Sequence, residues 1–307
     1  MDRRDFLKLW LDFALLALVG RVFAVVPSLA AEGARSGTGR FFELLDRIRN
    51  EKLSFQIFYL DLIKFAEGYA VFRQRSERYF TAEAFVETTG IVEPFTNHKS
   101  QRATSSMELS LDPAPRLIPR TFDRFIVLRD RKIKTRNLFD YKRNRWVSKI
   151  YRDGKLKRRR RRKIPEGVIY ENFLSAFYNL RLEAFGPIAK GRTIEFRTIP
   201  YKGIDRMSLK VVGSDAARDE ARWLKSIAGA EFLIVMQIAE KIMGIKPAKL
   251  LAAADRELVP LAGVLKDALP LGNIYANLKA REYISDGRRY RIKNIRRSPA
   301  AGSTDRD

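Results

Sequence analysis

"LSFQIFYL", residues 53–60, decides the fold. Leu53, Phe55, Ile57 and Tyr59 fall on one side of an extended chain. A period of two marks a half-buried strand, because successive side chains leave a pleated backbone on opposite faces. The same grammar continues outward. "FAEGYAVFRQ" (65–74) and "RYFTAEAFVET" (78–88) are rich in aromatic and β-branched residues, as strands are. "SQRATSSMELSL" (100–111) alternates, and the proline-punctuated "DPAPRLIP" (112–119) precedes another strand, "RTFDRFIVLRD" (120–130).

A strongly basic stretch follows at 131–167. Asp153-Gly154 is a two-residue hairpin signature, flanked by "RWVSKIY" and "KLKRRRRRKI". Two antiparallel strands with basic residues account for it most simply. Lys155, Lys157, Arg158, Arg159, Arg160, Arg161, Arg162 and Lys163 are the candidate contacts to an anionic ligand. The competing account is a solvated run whose like charges repel.

"YENFLSAFYNLRLEAF" (170–185) breaks the alternation. Phe173, Leu174, Phe177, Tyr178 and Leu180 form a wide apolar stripe at helical spacing, which predicts a helix packed on the sheet. Strand patterns resume at 191–203 and 205–213. A polar excursion with some helix occupies 214–230, and strands are expected at 231–242, 248–255, 257–268 and 272–284. About a dozen closely spaced strands and one internal helix argue for one antiparallel domain. Such a sheet is expected to curl over its apolar face or close. The fold class expected is mainly β: a single curled antiparallel sheet or half-open β-barrel with one internal packed helix. The domain spans 53–284, after a linker and short helix at 31–52 with Phe42, Leu45 and Ile48 on one side. A basic, disordered tail is expected over 285–307.

Upstream, Arg3 and Arg4 are followed by Phe6, Leu7 and Lys8, the pattern of a twin-arginine export motif. An apolar run from Leu9 to Val26 comes next, broken by Asp12 and Arg21. Each would cost about 2.5–3.5 kcal/mol at the centre of a permanent membrane helix. The run therefore reads as a signal peptide over 1–30, with Ser28-Leu29-Ala30 as the peptidase site. The partner implied is the twin-arginine export machinery, and the compartment is the periplasm. Residues 1–30 carry a net +1, so the remainder keeps +23 of the chain's +24.

That compartment changes what the charge means. A basic chain first suggests nucleic acid or an anionic membrane. In a periplasm the available polyanions are lipid headgroups, lipopolysaccharide phosphates and anionic glycans, and no nucleic acid is expected. The absence of cysteine excludes disulfides, thiol catalysis and cysteine-ligated zinc. A single histidine, His98, in polar surroundings argues against histidine triads. The sequence carries no Gly-x-Ser-x-Gly elbow, phosphate loop, dinucleotide fingerprint or zinc spacing. Acid pairs such as Asp219-Glu220 and Asp255 with Glu257 read as surface carboxylates, and Ser175 has no histidine to activate it. No enzyme and no cofactor are expected.

"GVIYENFLSAFYNLR" (167–181) resembles a motif of the periplasmic domain-of-unknown-function family 3108 (DUF3108). Leu174, Ser175, Ala176, Phe177, Tyr178, Leu180 and Arg181 stand at its places, while Asn172-Phe173 replaces the commoner Asp-Pro. "FQIFYLDLIKFAEGYAVF" (55–72) is similar to its opening hairpin, and residues 255–278 to its closing strand pair. The resemblance implies an exported β protein akin to lipoprotein carriers, with no reaction and no catalytic residues.

Three functions follow as expectations. The first is a non-enzymatic carrier for an anionic lipid or glycan, with Phe55, Tyr59, Phe72, Phe80 and Phe85 around an apolar chain. The second is an assembly factor that docks the arginine-rich hairpin on an anionic partner or membrane surface. The third is a cytoplasmic nucleic-acid binder, against which the export motif stands. Basic sheet edges resist stacking and favour a monomer.

Overall fold

Alternating runs become strands, and after the first all but one of the described strands pair with the strand before them. The computed structural model describes residues 34–89, 99–129, 131–201, 204–212, 218–238, 248–269, 272–285 and 288–293. The export motif Arg3, Arg4, Phe6, Leu7 and Lys8, the whole of 1–30, His98 and the end of the tail lie outside the described residues. The first eight strands are β1 (Glu51–Tyr59), β2 (Ile63–Gln74), β3 (Tyr79–Thr88), β4 (Ser100–Ser110), β5 (Arg116–Leu128), β6 (Arg131–Asp140), β7 (Arg145–Arg152) and β8 (Lys155–Lys163). The rest are β9 (Thr193–Tyr201), β10 (Ile204–Val212), β11 (Phe232–Ile238), β12 (Ala248–Ala254), β13 (Pro260–Leu269), β14 (Gly272–Ser285) and β15 (Arg288–Lys293). They form one fifteen-stranded sheet in the order β8-β7-β6-β5-β4-β3-β2-β1-β14-β13-β12-β11-β10-β9, with β15 paired to β14 off this path. Every strand pair is antiparallel.

This corrects the expected fold class. The sheet is an open path: β8 and β9 are its two ends, and among the described residues no pairing joins them. It is neither a curled sheet nor a half-open barrel. Among the described residues three helices, not one, accompany it: α1 (Ala34–Ile48), α2 (Phe173–Arg181) and α3 (Arg218–Lys225). The expectation of closure rested on the need to cover an apolar face, and helix α2 meets that need instead. All nine of its residues are buried. It packs on β3, β4 and β5, and Ala176 and Leu180 join Ile194, Phe196, Val211 and Ile234 in a second cluster.

Smaller differences have local causes. Helix α1 begins at Ala34, inside the stretch read as linker, and buries Phe41, Leu44, Leu45 and Ile48, while Phe42 is exposed. Its buried stripe is thus rotated from the one expected. Strand β6 lies in the basic run, and only its end, Asn137–Asp140, alternates between buried and half-buried positions. Residues 288–293 form β15, not disordered tail.

Helix α2 starts as a capping box. The Asn172 side chain accepts from the N–H groups of Leu174 and Ser175, and the Ser175 hydroxyl accepts from the Asn172 N–H. Asparagine, a strongly preferred cap residue, thus starts the helix.

On β2, a Cβ placed on Gly68 would lie 2.1 Å from the Phe85 carbonyl oxygen and 3.0 Å from the Val86 Cα. Both neighbours are backbone of β3, so alanine requires the two strands to part. Gly68→Ala is expected to cost about 1–3 kcal/mol, as overpacking does, read as a lowered urea midpoint. An unchanged midpoint would mean that this strand pair yields freely.

Candidate functional site

The basic hairpin forms as its turn chemistry dictates. Asp153 and Gly154 both take positive φ, 50° and 79°, as a two-residue primed turn requires. The Asp153 carboxylate accepts from the Lys132 N–H at 2.7 Å, and the Asp153 N–H donates to the Lys132 carbonyl at 2.8 Å. The turn is therefore tied to the start of β6. At the far end the Ile164 N–H donates to the Asn144 carbonyl at 2.8 Å, and the Ile164 side chain is buried. Between these anchors all nine residues of β8 are exposed.

Lys155, Lys157, Arg158, Arg159, Arg160, Arg161, Arg162 and Lys163 thus lie together on an edge strand, as the candidate contact requires. Pairing with β7 sorts them. Arg158, Arg160 and Arg162 oppose Ile150, Ser148 and Trp146, and the Arg162 guanidinium sits 5.8 Å from the Trp146 ring centre. Arg159, Arg161 and Lys163 oppose Lys149, Val147 and Arg145 on the other face. Among the described residues no carboxylate lies within ion-pairing distance of any β8 cation. Residues 131–163 hold seventeen basic residues against two acidic ones, so most of the chain's net +24 sits in this one sheet region.

Sequence reasoning missed the neighbours of this strand. Phe125, Lys132, Lys134, Arg136, Tyr151 and Gly154 line a shallow cavity of about 310 Å³ beside the turn. Arg136 and Lys134 reach Asp123 at 3.1 and 3.6 Å. The alternation of Lys132, Lys134 and Arg136 in "RKIKTR" was the available signal.

The aromatics expected around an apolar ligand do not share one face. Phe55, Phe72 and Phe80 are buried, and Phe72 stacks on Phe80 and on Tyr178 of α2, with ring centres 5.6 and 4.5 Å apart. Tyr59 is partly buried against the same core. Phe85 lies on the opposite face, 5.4 Å from Tyr69 and beneath Arg102 at 5.5 Å.

The family-like motif on α2 instead builds two buried polar networks. In one, Asn179 both donates to and accepts from the Leu117 backbone, at 2.8 and 2.9 Å, while Arg116 pairs with Glu171 at 2.6 Å. Ser175 hydrogen-bonds Glu171, and both are fully buried. In the other, Glu51 receives Arg181 and, at 2.7 Å, Arg281, which also reaches Glu257 at 2.6 Å. Burial alone would lower the Arg181 pKa, but the Glu51 carboxylate outweighs it and holds the guanidinium above its ordinary value. Burial pushes the Tyr178 hydroxyl up, and among the described residues that oxygen has no hydrogen-bond partner. The acid pairs of the sequence are structural here. Glu220 pairs with Lys249. The Asp255 carboxylate accepts from the N–H groups of Glu257 and Val259, both at 2.9 Å, and burial raises its pKa.

The model of a family described as protein of unknown function (DUF3108) matches residues 55–221. The chain belongs to that family. The DUF3108 match includes the opening hairpin, the basic hairpin and α2, and stops short of β11–β14. No curated protein matches the chain. Among solved structures, the chain is similar to a beta-barrel-like protein of domain of unknown function DUF1849 from Brucella abortus. The two are 8% identical, the alignment covers 75% of this chain and 96% of the other, and the TM-score is 0.40.

Proposed function

We propose that this DUF3108 protein is a non-enzymatic binding protein of the cell envelope. It docks on an anionic partner through β8 and does not enclose its ligand. The observation that carries this reading is β8 itself: nine consecutive exposed residues at a sheet edge, eight of them cationic and none ion-paired among the described residues. Holding like charges in one ordered strand costs repulsion, which an anionic partner relieves. Helix α2 fills the space in front of Phe72 and Phe80, which supports docking over enclosure.

The test replaces Arg158–Arg162 with glutamine and follows retention on an anionic support, dextran sulfate or phosphatidylglycerol vesicles, as salt is raised. Loss of retention at physiological salt supports the reading, and retention equal to wild type overturns it. Because every β8 side chain is exposed, the variant is expected to melt at the wild-type temperature or slightly above it.

The envelope part of the proposal rests on the leader, Arg3, Arg4, Phe6, Leu7 and Lys8. Residues 1–35 fused to a reporter are expected to carry it to the periplasm, and Arg3→Lys with Arg4→Lys to leave it in the cytoplasm. A wild-type fusion that fractionates with the cytoplasm sinks the periplasmic assignment and returns nucleic acid as the anionic partner.

A further inference from the structure

We infer that the outer face of β5–β8 docks flat against an anionic lipid bilayer, with Phe125 and Leu156 entering the interface between headgroups and acyl chains. The inference rests on the reading of β8 as an anion contact and names its partner.

Strand register places Phe125, Lys134, Tyr151 and Leu156 in one cross-strand row. The row runs over four neighbouring strands at about 4.8 Å per step. It lies on the face away from α2, because the core-facing neighbours Phe122, Phe139 and Trp146 point the other way. Lys134 therefore sits between Phe125 and the neighbouring pair Tyr151 and Leu156. Phe125 and Leu156 are 37% and 52% exposed, so both are free to leave water on contact with a surface.

Beside this row the same face carries Lys132, Arg136, Lys149, Arg159 and Arg161. The strand carboxylates of this face are Asp123 and Asp140. Asp123 is held by Arg136 and Lys134, and Asp140 by Arg143 and Arg145. The remaining positive charge calls for anions, and an anionic leaflet presents them as a plane.

Charge alone would suit any polyanion. The exposed Leu156 and Phe125 decide for lipid. A soluble polyanion leaves an aliphatic side chain in water, whereas the boundary between headgroup and acyl chain takes it up. Lysine and arginine stems lie along that apolar boundary while their heads reach the phosphates, and tyrosine is suited to the same depth.

The experiment uses the chain as purified from cells, the Phe125→Ser/Leu156→Ser variant and the five-glutamine variant. Each is titrated with phosphatidylglycerol-containing vesicles, with phosphatidylcholine vesicles and with dextran sulfate. The serine pair is expected to bind anionic vesicles at least tenfold more weakly than wild type and dextran sulfate equally well. Phosphatidylcholine is expected to bind the wild type poorly. Both side chains are exposed, so an unchanged melting temperature verifies the fold. Vesicle binding within twofold of wild type overturns the bilayer inference and leaves the anion reading standing. An equal loss on dextran sulfate also overturns it, because Phe125 and Leu156 then belong to a polyanion contact. If the five-glutamine variant binds both anionic probes like wild type, the anion reading itself fails and the bilayer goes with it.

Discussion

Replacing Glu51 with alanine is expected to destabilise the protein by about 3–5 kcal/mol, the cost of breaking a buried ion pair from one side. Glu51 and Arg181 are fully buried, and the carboxylate takes both terminal nitrogens of that guanidinium as well as Arg281 Nε. Without Glu51, Arg281 keeps Glu257 at 2.6 Å. Arg181 keeps the faces of Phe177 and Tyr178, at 5.5 and 6.0 Å, and the longer-range attraction of the Asp255 and Glu257 carboxylates, but no carboxylate hydrogen bond. A ring face does not replace a carboxylate for a cation taken out of water. The network is already incomplete, since Arg181 Nε and Arg281 Nη2 have no hydrogen-bond partner among the described residues. Urea denaturation should show a lower midpoint at constant slope. Replacing both Glu51 and Arg181 with methionine should recover part of the loss, because the penalty lies in the charge left behind. A single-variant loss below about 1 kcal/mol, the scale of an exposed pair, would mean that water reaches the site and that the motif arginine is not a buried anchor.

That network explains why the site was legible and the fold only partly so. Local rules located the strands, because alternation and turn residues act over a few positions: Leu53, Phe55 and Ile57 are all buried, and Asp153-Gly154 turns as read. The basic edge needed no more than composition beside that turn. What joins the fold acts over distance. Glu51 meets Arg181 and Arg281 across 130 and 230 residues, and no spacing rule in one sequence links them. The same holds for the open sheet: whether an apolar face is covered by closure or by α2 depends on packing between segments. The motif residues Ser175 and Asn179, polar and fully buried, look from sequence like the solvent side of an amphipathic helix, and Arg181 like a solvated last-turn cation. The row from Phe125 to Leu156 exists only through register, because its members are separated along the chain by turns and whole strands.

Replacing Arg158–Arg162 with glutamine is expected to weaken docking on an anionic surface at least about thirtyfold at physiological salt. Each basic residue near such a surface contributes about 1 kcal/mol, so Arg159 and Arg161, on the face of the Phe125–Leu156 row, account for about 2 kcal/mol, and Arg158, Arg160 and Arg162 on the other face of the edge strand add less. The size of the effect separates two explanations that both invoke charge. If the protein binds merely because it is basic overall, removing five of twenty-four net charges should matter little. If β8 is the contact, the loss should be far out of proportion to that fraction. Salt sharpens the contrast. The screening length is about 30 Å at 0.01 M and about 8 Å at 0.15 M, so at low salt every cation acts, while at physiological salt only those at the surface do. The variant should therefore still bind in dilute buffer and release as salt is added. The slope of its log affinity against log salt should be shallower by a few units, one step for each counterion no longer displaced. A uniform, small weakening at all salt concentrations would assign the binding to net charge and take the contact away from β8. Melting should separate the docking role from a structural one, because like charges along β8 repel. The glutamine strand is expected to leave stability unchanged or slightly higher, so cations that weaken the isolated fold and are still held in an ordered strand are best explained by what they meet outside it.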